Sequence, residues 1–342
     1  MSGDPLQGDS PQEDMSSHTC WVLSEGHAGM ENQCLGLAEA VGFQPVVKRV
    51  WVRFPWTWLP ARLWPFPLRA AERGSDALVP PWPDMLITCG RRSVPLALAI
   101  QRQSGGKTFT VYIQNPTVPA NAFNIIVAPE HDGFTGANVH VTHGALHRVT
   151  ARRLNGDAAT FAPLYTHLPR PLVGVLIGGS NRRYRVGERE MADLGDKLRQ
   201  LHEESGAGLA VTVSRRTGAA AMGALREKLA GVPAVIWDGQ EDSPGENSGD
   251  NPYYGILGLA DLVVATCDSI SMVSEACSTA KPVLVAHFPG GSKRFHRFHK
   301  AMEKDGYTRK FTGRYESWTP PPLDDMSAAT AAVRTAFLAH LG

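Results

Sequence analysis

The sequence contains no C-x-x-C pair, no apolar run approaching the ~18–20 residues of a membrane span, and no surplus of either charge. Each absence excludes a class. Its five cysteines (Cys20, Cys34, Cys89, Cys267 and Cys277) are an odd number at irregular spacing. That argues against a disulfide framework or a zinc ribbon and for small buried thiols in a reducing compartment. With 34 Lys and Arg against 33 Asp and Glu, the net charge of +1 supplies no field for nucleic acid. The first 18 residues carry Asp4, Asp9, Glu13 and Asp14 but no Lys or Arg. They lack the basic start and apolar stretch of a secretory signal and read as a disordered acidic tail, with a cytoplasmic location as the expectation.

What is present is alternation. Short apolar runs at 19–24, 45–52, 84–90, 109–114, 124–129 and 138–144 read as strands, with helical periodicity at 30–42 and 93–103. The pattern restarts with strands at 171–180, 208–214, 234–239, 260–266 and 281–288 and helices over 188–205, 219–230 and 326–341. Strands alternating with helices indicate parallel βαβ units. At 342 residues the chain suits two domains. The expectation is an α/β protein: a first domain over 19–165, a second over 170–325, and a terminal helix over 326–342 that packs back. The Pro-rich stretch 161–172 reads as the linker, and 238–252 as a polar, mobile loop.

Ligands of open parallel sheets sit outside the carboxyl ends of the strands. The loops at those ends are therefore where chemistry is expected. After the first strand, Glu25-Gly26-His27 offers flexible backbone and an imidazole able to act as a base near neutral pH. In the second half, three loops share one chemistry: Gly178-Gly179-Ser180-Asn181, Ser214-Arg215-Arg216-Thr217, and Cys267-Asp268-Ser269-Ile270-Ser271. Hydroxyls, Gly, Arg and helix N-termini in three successive loops predict a phosphate or diphosphate ligand. Ile270, Val273 and Cys277 share one helix face, and Glu275 falls off it. A carboxylate so placed can accept from a vicinal diol such as a ribose, or it is a solvated surface acid.

Several stretches resemble the bacterial and plant "elongated mitochondria" (ELM-type) mitochondrial-fission family: WVLSEGHAGMENQ, PEHDG, GALHRVT, VLIGGSNRRY, VTVSRRTG, NPYYG and DSISMVSEA. The resemblance spans roughly residues 20–320 and implies a GT-B architecture, two Rossmann-like domains facing a cleft. The plant member is tied to recruiting a dynamin-related fission protein, a role that need not involve catalysis. The last third is also similar to the peptidoglycan N-acetylglucosaminyltransferase (MurG) and lipid A disaccharide synthase types. That likeness makes Glu275 the ribose holder and Gly178-Gly179-Ser180 a donor loop, with Ala280 standing where Gly is usual before Lys281-Pro282.

The expectation is metal-independent glycosyl transfer from a nucleotide-diphosphate sugar, with no cofactor. Arg215, Arg216 and helix N-termini would stabilise the departing diphosphate, and Glu275 with Ser269 or Ser271 would hold the nucleotide. His27 is the first choice of base and Asp132 the second. A nucleotide-sugar epimerase of the non-hydrolysing type and a non-catalytic scaffold are the alternatives.

Glu130, His131 and Asp132, with His147 and Arg148 opening a helix, are expected on the acceptor side with Glu25. His131, His140, His143 and His147, with Glu130 and Asp132, supply the imidazoles and carboxylates of a candidate metal site. A strand over 138–142 puts His140 and His143 on opposite faces, and H-x-x-H lacks the one-turn spacing of a helical zinc pair. Residues 51–69 interleave Trp51, Trp56, Trp58 and Trp64 with Arg53, Arg62 and Arg69. Such a segment suits contact with a membrane surface, as an enzyme with a lipid-linked or glycolipid acceptor on the inner membrane would need, or it packs aromatics into the first domain's core.

Overall fold

Twelve strands and nine helices make up the described part of the computed structural model, which covers residues 15–60, 63–214, 216–239 and 251–342. In the first sheet, β1 (Cys20–Ser24), β3 (Met85–Cys89), β4 (Phe109–Ile113) and β5 (Ile125–Pro129) are fully buried, while β2 (Val46–Arg49) is an exposed edge and β6 (Val139–Thr142) lies beside β5. Runs such as Met85-Leu86-Ile87-Thr88-Cys89 are apolar without alternation because helices cover both faces of a parallel sheet. The strand order is β2-β1-β3-β4-β5-β6, parallel across the first five. Helices α1 (Ala28–Val41) and α2 (Ser93–Gln103) follow β1 and β3.

The second sheet contains β7 (Leu172–Ile177), β8 (Gly208–Val213), β9 (Ala234–Trp237), β10 (Leu262–Thr266), β11 (Val283–Ala286) and β12 (Thr308–Lys310). Its order is β12-β11-β10-β7-β8-β9, parallel throughout. Around it lie α3 (Ala151–Tyr165), α4 (Glu188–Ser205), α5 (Ala219–Lys228), α6 (Tyr253–Leu259), α7 (Ile270–Cys277) and α8 (Lys293–Lys304). The last helix is α9 (Asp325–Leu341).

Two compact units result, and the chain passes between them more than once. Unit 1 takes residues 1–127, 136–140 and 327–342; unit 2 takes 128–135 and 141–326. These boundaries differ from the expected 165/170 division. Helix α3 belongs to unit 2, as do Glu130, His131 and Asp132. Residues 161–165, expected in a linker, form the last turn of α3 with Pro163 inside it, and Phe161 and Tyr165 join the unit 2 core. The terminal helix does pack back: Phe337 meets Phe43 and Phe109 edge-on in unit 1.

The expected tail divides in two. Residues 1–14 lie outside the described residues, as do 240–250 of the expected polar loop. Met15 is buried against Gly42, so 15–18 is part of the fold. All five cysteines are buried, and none forms a disulfide.

Candidate functional site

Reading the second sheet from β9, its order is 3-2-1-4-5-6, the doubly wound arrangement whose topological switch lies between its first and fourth strands, here β7 and β10. Two of the three loops singled out by sequence leave those two strands. The loop after β7 begins with Gly178-Gly179, and the loop after β10 with Cys267-Asp268. They touch: the Gly179 N–H donates to Asp268 Oδ2 at 2.9 Å, and the Asn181 side chain to the Asp268 carbonyl at 3.2 Å. The third loop, after β8, closes from the other side. The Thr217 hydroxyl donates to the Gly178 carbonyl at 2.5 Å, and Arg216 Nη2 lies 3.8 Å from Asp268 Oδ2. Arg215 lies outside the described residues.

This packing gives the glycines a reason the sequence did not supply. A Cβ on Gly178 would stand 2.1 Å from Asp268 Oδ2, and one on Gly179 would stand 2.6 Å from the Arg216 backbone. The pair is small because neighbouring loops fill the space. Asp268 is likewise a brace: its carboxylate is fully buried and also accepts from the Thr266 hydroxyl at 2.7 Å. Burial raises its pKa, opposed by the bonds from Thr266 and Gly179 and by the Arg216 charge.

Several other hydroxyls and amides expected to meet a ligand are spent locally. Ser180 bonds Val186, Asn181 receives the Arg183 and Tyr184 N–H groups, and Ser214 receives Arg216 N–H and Nε. Ser269 caps α7, accepting from Met272 N–H at 3.3 Å. Ser271 is half-buried in the first turn of α7, whose leading N–H groups have no partner within the helix. Arg182, Arg183 and Arg216 remain exposed around these loops.

Glu275 departs from the sequence reading, which left it free of packing. Residues Val273 to Cys277 are all buried, so α7 is covered on every side and its apolar face does not mark the exposed one. The Glu275 carboxylate receives the Tyr253 hydroxyl. Burial raises it to about 7, with the Tyr253 bond and Arg153 opposing. Tyr253 and its short helix α6 were not foreseen; the motif NPYYG was the available signal.

In unit 1 the order β2-β1-β3-β4 puts the corresponding switch between β1 and β3. A cavity of about 640 Å³ opens there, with Glu25, His27, Glu31, Arg49, Trp51 and Arg92 in its wall. Glu25 accepts from Arg92 N–H at 3.1 Å, and a Cβ on Gly90 (φ +101°) would stand 2.9 Å from Glu25 Oε1. Arg49 forks onto Glu31 at 2.7 and 3.0 Å. His27 occupies the N-cap of α1 without making a side-chain cap bond and is exposed. Glu25 and His27 thus line the same cavity.

The remaining acceptor-side residues belong to unit 2. Asp132 is half-buried with its side chain 5% exposed, and it pairs with Arg294 at 2.7 Å, which ties up the second choice of base. Burial and the charges of Arg294 and Arg297 lower His131 to about 3, and burial lowers His147 to about 4. His147 Nδ1 accepts from Val149 N–H, and the helix expected to open at His147-Arg148 starts later, at Ala151, capped by Thr150. Glu130 is exposed on the turn before His131. His143 pairs with Asp325 at 3.1 Å, and His140 falls in unit 1. Among the described residues no three His, Cys, Asp or Glu converge as metal ligands.

The family model for mitochondrial fission ELM1 matches residues 28–337. The chain belongs to that family. It is 32% identical over 279 residues to the mitochondrial fission protein ELM1 of Arabidopsis thaliana, an alignment covering 74% of this chain and 63% of the relative. The match thus spans under two thirds of the plant protein. In fold, this ELM1-family chain is similar to the UDP-GlcNAc 2-epimerase of Methanocaldococcus jannaschii (TM-score 0.52, 10% identity, 95% of this chain and 99% of that one). It is also similar to Os79 of O. sativa, solved in complex with UDP (TM-score 0.51, 10% identity, 94% of each chain). Two Rossmann-like α/β units of this kind are the GT-B architecture.

Proposed function

We propose that this ELM1-family chain binds a nucleotide-diphosphate sugar at the β7/β10 switch of unit 2 and transfers the sugar to a hydroxyl acceptor. The observation that carries the reading is the convergence of the loops after β7, β8 and β10 on that switch, with exposed Arg216 and the N-terminus of α7 beside it. Arg216 and the leading N–H groups of α7 meet the diphosphate and stabilise the charge that develops as it departs. Asp268 does not contact phosphate; it holds Gly179 and faces the Arg216 guanidinium. Glu275 holds the nucleotide ribose, exchanging its Tyr253 bond for the diol.

The unit 1 cavity takes the acceptor, a glycolipid or lipid-linked sugar, with Trp51 offering a ring face to a sugar and Glu25 and Arg92 offering polar partners. His27 accepts the hydroxyl proton, because it is exposed and makes no capping bond whereas Asp132 is ion-paired. The likeness in fold to a UDP-GlcNAc 2-epimerase favours a second reading, epimerisation of the bound nucleotide sugar.

Calorimetry with UDP-, GDP-, ADP- and CMP-sugars tests binding. One of these is expected to bind, and Arg216→Ala to weaken it by about tenfold or more, the loss of a charge-assisted bond. If no nucleotide sugar binds at millimolar concentration, the reading fails and a non-catalytic scaffold replaces it. A new epimer formed without acceptor establishes the second reading instead.

A further inference from the structure

We propose that the described residues of the excursion from Val52 to Ala71 in unit 1, 52–60 and 63–71, form a docking surface for an anionic lipid bilayer. The segment leaves and re-enters through a closed neck. Val52 and Ala71 form an antiparallel bridge, Arg53 N–H donates to the Ala70 carbonyl at 3.0 Å, and Glu72 N–H donates to the Trp51 carbonyl at 2.8 Å. Within it two indoles act as internal struts: Trp64 is buried and donates to the Leu59 carbonyl at 3.1 Å, and Trp56 donates to the Pro65 carbonyl at 2.9 Å. These two account for the aromatics that pack the loop on itself.

The others point outward. Trp58 is 84% exposed, Phe66 72%, Phe54 70% and Leu63 66%. With Trp51 and Leu59 they supply six of the ten large hydrophobic residues exposed among the described residues, all within sixteen positions. A scattered exposed apolar residue is ordinary, but a cluster of this size on one loop marks an interaction site.

The charges say what it meets. Residues 51–73 contain four arginines and a single acid. The Arg53 guanidinium lies 5.2 Å from the Trp56 ring centre and Arg69 lies 5.3 Å from that of Phe66, so cations and rings occupy the same layer. That is the layering of a headgroup boundary: rings at the edge of the acyl region, guanidinium groups among phosphates. A protein partner would more naturally meet a packed, contiguous patch with a polar rim than single side chains on a protruding loop. Trp51 and Glu72 of the neck also line the unit 1 cavity, so a membrane at the loop would present its headgroups beside that cavity. The membrane contact does not require the transfer reaction.

Co-sedimentation of the full chain with vesicles of phosphatidylcholine plus phosphatidylglycerol, and of phosphatidylcholine alone, tests the proposal. The protein is expected to pellet with the anionic vesicles. The exposed-face variant Phe54→Ser/Trp58→Ser/Phe66→Ser should reduce partitioning by about tenfold or more. Arg53→Glu/Arg69→Glu should reduce it on anionic vesicles only. Brominated acyl chains should quench the wild-type fluorescence and quench Trp58→Phe less. All of these side chains are exposed, and circular dichroism checks that the variants fold. Equal pelleting of wild type and triple variant overturns the proposal, as does an absence of pelleting with anionic vesicles, which would leave the loop to a protein partner.

Discussion

Glu275 occupies surroundings that its local sequence does not announce. Its helix carries an apolar stripe, and a stripe normally means that the opposite face is wet. Here every position from Val273 to Cys277 is buried, so the acid sits with Tyr253 instead of water. Its pKa moves from 4.5 to about 7, and the sign of the consequence follows. A carboxyl whose folded-state value is raised binds its proton more tightly folded than unfolded. Its contribution is complete below pH 4.5 and is lost as pH rises through about 7. Urea denaturation of wild type and Glu275→Gln is therefore expected to diverge across that window. The wild type should lose on the order of 3 kcal/mol relative to the variant, which keeps an acceptor for Tyr253 but cannot ionise. Parallel stability curves for the two proteins would show that Glu275 is not desolvated. Ala280 was the better-read residue. It stands where the pattern usually has Gly, and it adopts φ +55°, while Lys281 donates to the Leu257 and Gly258 carbonyls at the end of α6.

At the scale of elements, the loop after β7 is where packing and function compete for the same atoms. Gly178→Ala puts a methyl carbon against a buried carboxylate, and the expected cost is about 1–3 kcal/mol of stability, from overpacking. Chemical denaturation measures it. An unchanged midpoint would mean that the three loops separate readily and that their convergence is loose.

The two sheets were largely legible because strands buried on both faces are written as continuous apolar runs, as in Leu172-Val173-Gly174-Val175-Leu176-Ile177. What escaped had weak or contrary local signals. Strand β12 is three residues long and two of them are Arg309 and Lys310, so nothing in it reads as core. Helix α6 has seven residues, too short to show a period. Helix α3 contains Pro163, which reads as an interruption but is accommodated near the helix end. The loops of the candidate site were found because they follow strands. Their internal bonding was not, because hydroxyls that cap turns and hydroxyls that wait for phosphate are the same residues.

For the molecule as a whole, acid is expected to act unevenly. His131, His147 and His299 are held at about 3, 4 and 4 by burial, well below an ordinary 6.5, and all three belong to unit 2. Groups with depressed values stabilise the fold fully above pH 6.5, and that contribution drains away as pH falls toward 4. At up to about 1.4 kcal/mol per group per pH unit, three histidines outweigh the opposite slope of Glu275. Hydrogen exchange should show unit 2 amides losing protection between pH 6.5 and 5 before those of unit 1. Protection lost first in unit 1 would contradict this ordering.

The route of the chain has a consequence for biosynthesis. Phe337 fills the interior of unit 1 between Phe43 and Phe109, yet a ribosome makes it only after the whole of unit 2. The nascent first unit therefore waits, with an apolar socket unfilled, while nearly two hundred further residues emerge. A fragment cut after residue 140 would be arrested in that waiting state, whereas a circular permutant placing 327–342 ahead of Met15 would abolish it.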